Sequence, residues 1–290
     1  SYYWEDPLNQ AVMRAWQAGI VVVAAAGNRG PNPMTIGVPG NVPYVITVGA
    51  MTDNYTPADP ADDQLASFSS TGPTVEGFVK PDLLAPGGHI LALVGSNARL
   101  ATTYPQFRGE GDYFTMSGTS QATAVTSGVV ALMLQANPNL TPDDVKCRLM
   151  ASARPALTST GSLAYSIFQQ GAGLVDASGA VNSAAAGCAN QGLNLNYDLA
   201  GLQHYGGRAN QDPTTGDYYV MDNAGYTWSG GYTWSGGYTW SGGYTWSGGY
   251  TWSGGYTWSG GYTWSGGYTW SGGYTWSSAT SAVNHWVPQE

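Results

Sequence analysis

An α/β fold, a parallel sheet covered by helices, is predicted by three stretches of this sequence. Ile20-Val21-Val22-Val23-Ala24-Ala25-Ala26 is apolar without alternation, the mark of a strand buried on both faces, and Tyr44-Val45-Ile46-Thr47-Val48-Gly49-Ala50 reads the same way. A helical period runs directly into the first of them, and helix followed by buried strand is half of an α/β unit. The third stretch, Ala122 to Leu134, is apolar nearly all round, as a helix in the centre of a domain is.

The elements follow in order. Asp6 suits an N-cap and Pro7 the first helical position, while Leu8, Ala11, Val12, Ala15 and Trp16 fall on one helical face before Gly19 stops the helix. After the two buried runs, Asp82-Leu83-Leu84-Ala85 forms a short third strand between Pro81 and Pro86. Residues 51–80 and 86–111 are loop-rich. Asn137-Pro138 ends the central helix, and Thr141-Pro142-Asp143-Asp144 starts another with a cap, a first-turn proline and acids at the positive end of its dipole. Val145, Leu149 and Met150 give that helix an inner face. Gly171 to Ala177 closes the globular part, and a short helix follows it.

Composition narrows the function. Charged residues make up 9% of the 290, against roughly 25% in ordinary soluble domains, and the small polar residues that replace them suit an extracellular protein. A net charge of −9 with nine Lys+Arg leaves no basic stripe for nucleic acid. No apolar run reaches the ~18 residues of a membrane span. Ser1 opens straight onto a helix preamble, without the charged and apolar regions of a signal peptide, so the chain reads as a processed piece of something longer. Cys147 and Cys188 are its only cysteines. They fit either one disulfide or two buried thiols, and the charge-poor composition favours the disulfide.

Two places carry candidate chemistry. Gly118-Thr119-Ser120 sets a hydroxyl at the mouth of the central helix, where free N–H groups and the dipole favour negative charge. Such a serine is a nucleophile with an anionic transition state, a phosphate-cradle residue, or a plain N-cap. Asn28 leaves the first buried strand at the sheet edge where open α/β sheets place ligands. Its amide either donates to a developing oxyanion or merely forms a turn after Gly27. Together, Asn28 and Ser120 are half of an acyl-transfer site.

Five ordered motifs sharpen this reading. They are Val21-Val22-Val23-Ala24-Ala25-Ala26-Gly27-Asn28, Val45-Ile46-Thr47-Val48-Gly49-Ala50, Phe68-Ser69-Ser70-Thr71-Gly72-Pro73, Lys80-Pro81-Asp82-Leu83-Leu84-Ala85-Pro86-Gly87 and Ser117-Gly118-Thr119-Ser120. In this order, over residues 10–182, they resemble the subtilisin-like serine peptidases. The resemblance implies part of that family's fold, a mainly parallel sheet with helices on both faces. It implies Ser120 as nucleophile, and Asn28 with the Ser120 N–H as oxyanion donors. Ala24, Ala25, Ala26 and Gly27 would form one wall of the primary specificity pocket, open to large apolar side chains. No cofactor is implied and no metal ligand is readable, structural calcium included.

Two departures stand out. Ala124 replaces the usual proline four residues after the nucleophile. The family's Asp and His motifs are missing: His89 follows Pro86-Gly87-Gly88 as a loop residue, and His204 and His285 lie further on. The expectation is therefore the carboxyl-terminal half of a peptidase domain, inactive alone. The half bearing Asp and His would come from the same precursor, cut before Asp6; either it stays bound, the favoured expectation, or it is gone and this piece serves another purpose.

Beyond this portion, residues 1–190, lie a polar extension at 191–224, a repeat at 225–278 and a tail at 279–290. Gly-Tyr-Thr-Trp-Ser-Gly occurs eight times from Gly225, and a ninth copy ends Ser277-Ser278. In an extended strand an even period keeps Tyr and Trp on one face throughout. The Gly-Gly pairs could instead make turns between short rungs, or the segment could be a flexible linker with sticky aromatics. The expected function is a secreted serine endopeptidase acting on peptides or proteins, with self-association through 225–278 into a homo-oligomer or filament. The alternative is an adhesive filament subunit built on a peptidase-derived globe.

Overall fold

The computed structural model describes residues 2–56, 62–220 and the backbone of 285–286. They divide into a first unit reaching Ala200 and a second beginning at Gly201. The expected boundary near residue 190 thus falls inside the first unit. The repeat, and the β-structure expected for it, lie outside the described residues.

Three parallel strands build the main sheet of the first unit: β1 (Val23–Ala25), β2 (Ile46–Thr52) and β4 (Leu83–Pro86), with β2 in the middle. Val23 pairs with Ile46 and Val48 with Leu83, while the short β3 (Gln64–Leu65) runs antiparallel to the end of β2. Every residue of β2 from Ile46 to Met51 is buried, so both faces of the central strand are covered. The expected strand at 44–50 is therefore shifted by two residues but buried as predicted. The expected strand at 20–26 is shorter. Ile20 is 58% exposed and Val21 to Val23 are half-buried, because β1 has a partner on one side only among the described residues.

Helix α1 (Pro7–Gln17) starts as expected, with the Asp6 carboxylate accepting from the Leu8 and Asn9 amides. Its buried face is different. Asn9, Met13 and Trp16 point inward, whereas Leu8 and Ala11 are exposed. Polar anchors cause the rotation: Asn9 donates to Asn41 Oδ1 at 3.0 Å, and the Trp16 indole donates to Asp143 at 2.8 Å. A helix turns toward partners as well as away from water.

After α2 (Arg99–Thr103), α3 (Thr119–Ala136) packs across β1, β2 and β4. It is not buried all round: Ala124, Ser127, Ala131 and Leu132 form an exposed stripe. Helix α4 (Pro142–Ser152) begins with the predicted cap, in which Thr141 and Asp144 hydrogen-bond reciprocally. Short helices α5 (Ile167–Gln170), α6 (Ala177–Asn182) and α7 (Leu195–Leu199) follow, and α7 packs on α1.

A buried ionic cluster ties the strands to α4. Asp82 accepts from Lys80 Nζ and from the Thr47 amide, both at 2.6 Å, and Lys146 Nζ lies 3.4 Å from its other oxygen. The lysines complete their shells on the carbonyls of Val45 and Pro43 and on Asn190. A disulfide joins Cys147 of α4 to Cys188, two residues before that asparagine. The second unit contains the hairpin of β8 (Ala209–Gln211) with β9 (Tyr218–Val220), and β7 (Tyr205–Gly206) paired with β10 (His285–Trp286).

Candidate active site

The loop entering α3 is fixed by its glycine. Gly118 is the N-cap at φ 156° and ψ 159°, a conformation open essentially only to glycine, and its N–H donates to the Gly87 carbonyl at 2.8 Å. No side chain caps the helix, so Ser120 is not its N-cap. It is the second helical residue, exposed, with its backbone N–H among the donors that a helix start leaves free. Neither its hydroxyl nor its amide has a partner among the described residues.

Asn28 comes to this helix end from β1. The chain leaves the sheet after Ala26, whose N–H still donates to Val48, and turns at Gly27 with φ +112°. The Asn28 Oδ1 then accepts from both the amide and the hydroxyl of Thr119, at 2.9 and 3.0 Å. An amide N–H can only donate, so these bonds settle the orientation of the side chain: oxygen toward Thr119, Nδ2 left over. A side-chain carbon placed on Gly118 would stand 2.9 Å from Gln121 Oε1, 3.5 Å from Asn28 Nδ2 and 3.7 Å from the Ser120 nitrogen, so the Gln121 oxygen shares this space with the two donors. Two free donors thus border one small space beside an exposed hydroxyl. Chemically, such an arrangement can stabilise an oxyanion formed when the hydroxyl attacks a carbonyl.

Thr119 and Gly118 did not emerge from the sequence as functional. Thr119 is fully buried and its hydroxyl works in two directions, accepting from the Gly27 amide at 3.2 Å and donating to Asn28. The signal available was the threonine immediately before the candidate serine. Behind the turn, Ser70 accepts from the Arg29 amide at 3.0 Å and Phe68 from Gly30. The Phe68–Pro73 motif thereby acts as the backing of the Asn28 loop.

The four expected pocket residues separate by alternation. Ala24 and Ala26 are buried, while Ala25 and Gly27 are half-buried. A cavity of about 200 Å³ opens beside Arg29, over Ile36, Gly37 and Val75, but none of the four lines it. His89 has φ +57°, stacks on Tyr55 with ring centroids 3.8 Å apart, and donates its N–H to Ser117 Oγ. Its ring makes no hydrogen bond to Ser120. His204 belongs to the second unit. No group of three His, Cys, Asp or Glu residues suited to a metal occurs among the described residues, and no helix there is long and apolar enough to cross a membrane.

Comparison with known proteins identifies the family. The pattern of the subtilase family, peptidase S8, matches residues 3–187. Serine protease AprX of Bacillus subtilis is 56% identical over 142 residues, which are 49% of this chain and 32% of that protein. Subtilisin DY of Bacillus licheniformis is 36% identical over 148 residues, 50% of this chain and 44% of that protein. The matched part of the chain therefore spans about a third of the first relative and under half of the second. Among solved structures, fervidolysin from Fervidobacterium pennivorans, a keratinolytic enzyme related to subtilisin, is matched at 26% identity with a TM-score of 0.46, over 61% of this chain and 24% of that one.

Proposed function

Because the chain belongs to the subtilase family, we propose that it carries the nucleophile side of a serine endopeptidase site for peptide or protein substrates. One observation carries the reading: Thr119 orients Asn28 so that its Nδ2 and the Ser120 N–H border one space next to the Ser120 hydroxyl. In this mechanism Ser120 Oγ attacks the scissile carbonyl, and the two donors hold the oxygen as it becomes negative. They are worth most there because the charge exists only in the transition state. The reaction needs no cofactor.

A serine hydroxyl also needs a base to take its proton. The imidazole of the first unit, His89, makes no bond to Ser120, so the base belongs to polypeptide outside that unit, the expected Asp- and His-bearing half. The free edge of β1 and the exposed stripe of α3 favour that half's docking beside the site. The disulfide and the charge-poor composition support a secreted protein.

A fluorophosphonate, which reacts with activated serines, tests the assignment. The expected outcome is labelling of Ser120 when the Asp- and His-bearing half is present, and only residual labelling of the chain alone. Full-speed labelling of the isolated chain, or labelling at another serine, overturns it. The constant even period of the repeat favours a second, compatible role in which residues 225–278 join copies of the chain into a filament.

A further inference from the structure

We propose that the outer face of the hairpin leading into Ser120 is a binding track for an extended polypeptide with apolar side chains at alternate positions. The proposal rests on the peptidase reading for its occupant, the substrate. Strand β5 (Ile90–Leu93) pairs antiparallel with β6 (Tyr113–Met116), and β6 continues through Ser117 and Gly118 into α3. Leu91 lies opposite Thr115 and Leu93 opposite Tyr113. One step further, His89 meets Ser117 through its N–H.

The faces of this hairpin differ sharply. Phe114 is 3% exposed, with Phe107 from the intervening loop set edge-on against its ring. On the other face Leu91 is 58% exposed, Leu93 72% and Tyr113 46%. His89 shares their side by alternation and carries Tyr55, itself 69% exposed, stacked on its ring. A contiguous apolar surface of this kind marks a binding site more often than chance. From His89 to Leu93 it runs about 14 Å at ~3.4 Å per residue, the length of four residues of extended chain.

Its position selects the occupant. Thr119 bonds the Asn28 loop, whereas Ser117, three residues before Ser120, accepts from His89, so the track begins at a different partner of this turn from Asn28. A substrate held at Ser120 and continuing past Ser117 would lie along it. Side chains at every second position would meet His89 with Tyr55, then Leu91, then Leu93 with Tyr113.

The test uses the full chain with Ser120→Ala and a fluorescein-labelled Gly-Leu-Ser-Phe-Ser-Leu peptide, read by anisotropy. Binding is expected, with a loss of about tenfold or more in the Leu91→Ser/Leu93→Ser variant, whose changes are on the surface and leave the fold intact. An all-serine peptide should not bind. Equal binding of both peptides, or unchanged affinity in the double variant, overturns the track. So does a change in sedimentation of the chain alone without peptide binding, which would make the face a contact between copies. Fluorophosphonate labelling of the same double variant, with Ser120 restored and the Asp- and His-bearing half present, should match wild type. Failure of the wild-type chain to label at Ser120 in the presence of that half, with peptide binding to the Ser120→Ala chain intact, would sink the peptidase reading and leave the track standing.

Discussion

At Asn28 one atom is held and the other is left to act. The oxygen is taken by Thr119 twice, and the nitrogen is left without a hydrogen-bond partner among the described residues. Thr119 therefore works through Asn28, and a double-mutant cycle can show it. In the assembled peptidase, Asn28→Ala is expected to lower kcat by about 10²–10³ with KM nearly unchanged, the magnitude known for the oxyanion asparagine of subtilisin itself. Thr119→Val removes the hydroxyl bond but keeps the amide bond, so about a tenfold loss in kcat is expected. In the Asn28→Ala background the threonine change should cost almost nothing more. The same tenfold loss there would show that Thr119 acts through Gly27 instead. The serine and asparagine were legible in the sequence because a motif and a strand end name them. Thr119 was not, since its role is a pair of directed hydrogen bonds across 91 residues of chain.

At the scale of elements, the segment before α1 is held by buried carboxylates. Tyr3 is fully buried; its amide donates to Glu76 at 2.6 Å, and its hydroxyl shares Asp198 of α7 with that of Tyr44. Burial pushes the Glu76 carboxyl up to about 7, only partly offset by the Tyr3 amide and the Thr74 hydroxyl, and its Oε2 has no hydrogen-bond partner among the described residues. The folded protein holds this proton more tightly than the unfolded chain, so stability falls as pH rises from the ordinary carboxylate range to about 7, and levels above it. The whole effect is on the order of 3 kcal/mol. Glu76→Gln should flatten that part of the profile and raise stability at pH 8, as read by urea unfolding across pH 4.5 to 8. An unchanged slope would mean that Glu76 is ionised without penalty. Such anchors also explain what the sequence hid: Asn9 and Trp16 rotated α1 away from its apolar period. Strand type and order, by contrast, were readable because unbroken apolar runs leave few alternatives. Cover was not readable, so β1 and α3 came out more exposed than their composition foretold.

For the whole molecule, the first unit closes on itself. Its core, ionic cluster and disulfide all lie before Ala200, and the stretch from Cys188 to Leu199 returns through Asp198 to Tyr3 and through Asn190 to Tyr44 and Asp143. It can therefore fold without the repeat, which makes the proposed filament testable by deletion. If extended, as the sequence reading expects, nine copies of one even-period unit would offer the same Tyr/Trp face at each step, and a head-to-tail contact that does not close on itself propagates. Aromatic burial would drive the contact, at roughly 1 kcal/mol per ring beyond area alone. Identical units also permit slips of six residues, so the folded part of the chain must set the register. Deleting 225–278 is expected to leave a folded, monomeric protein with the Cys147–Cys188 bond intact. Trp→Ser throughout the repeats should abolish assembly while the unfolding transition of the first unit stays where it was. If electron microscopy and light scattering find the deletion variant assembling like the full chain, the repeat is not the connector, and the contact must be sought on the folded units.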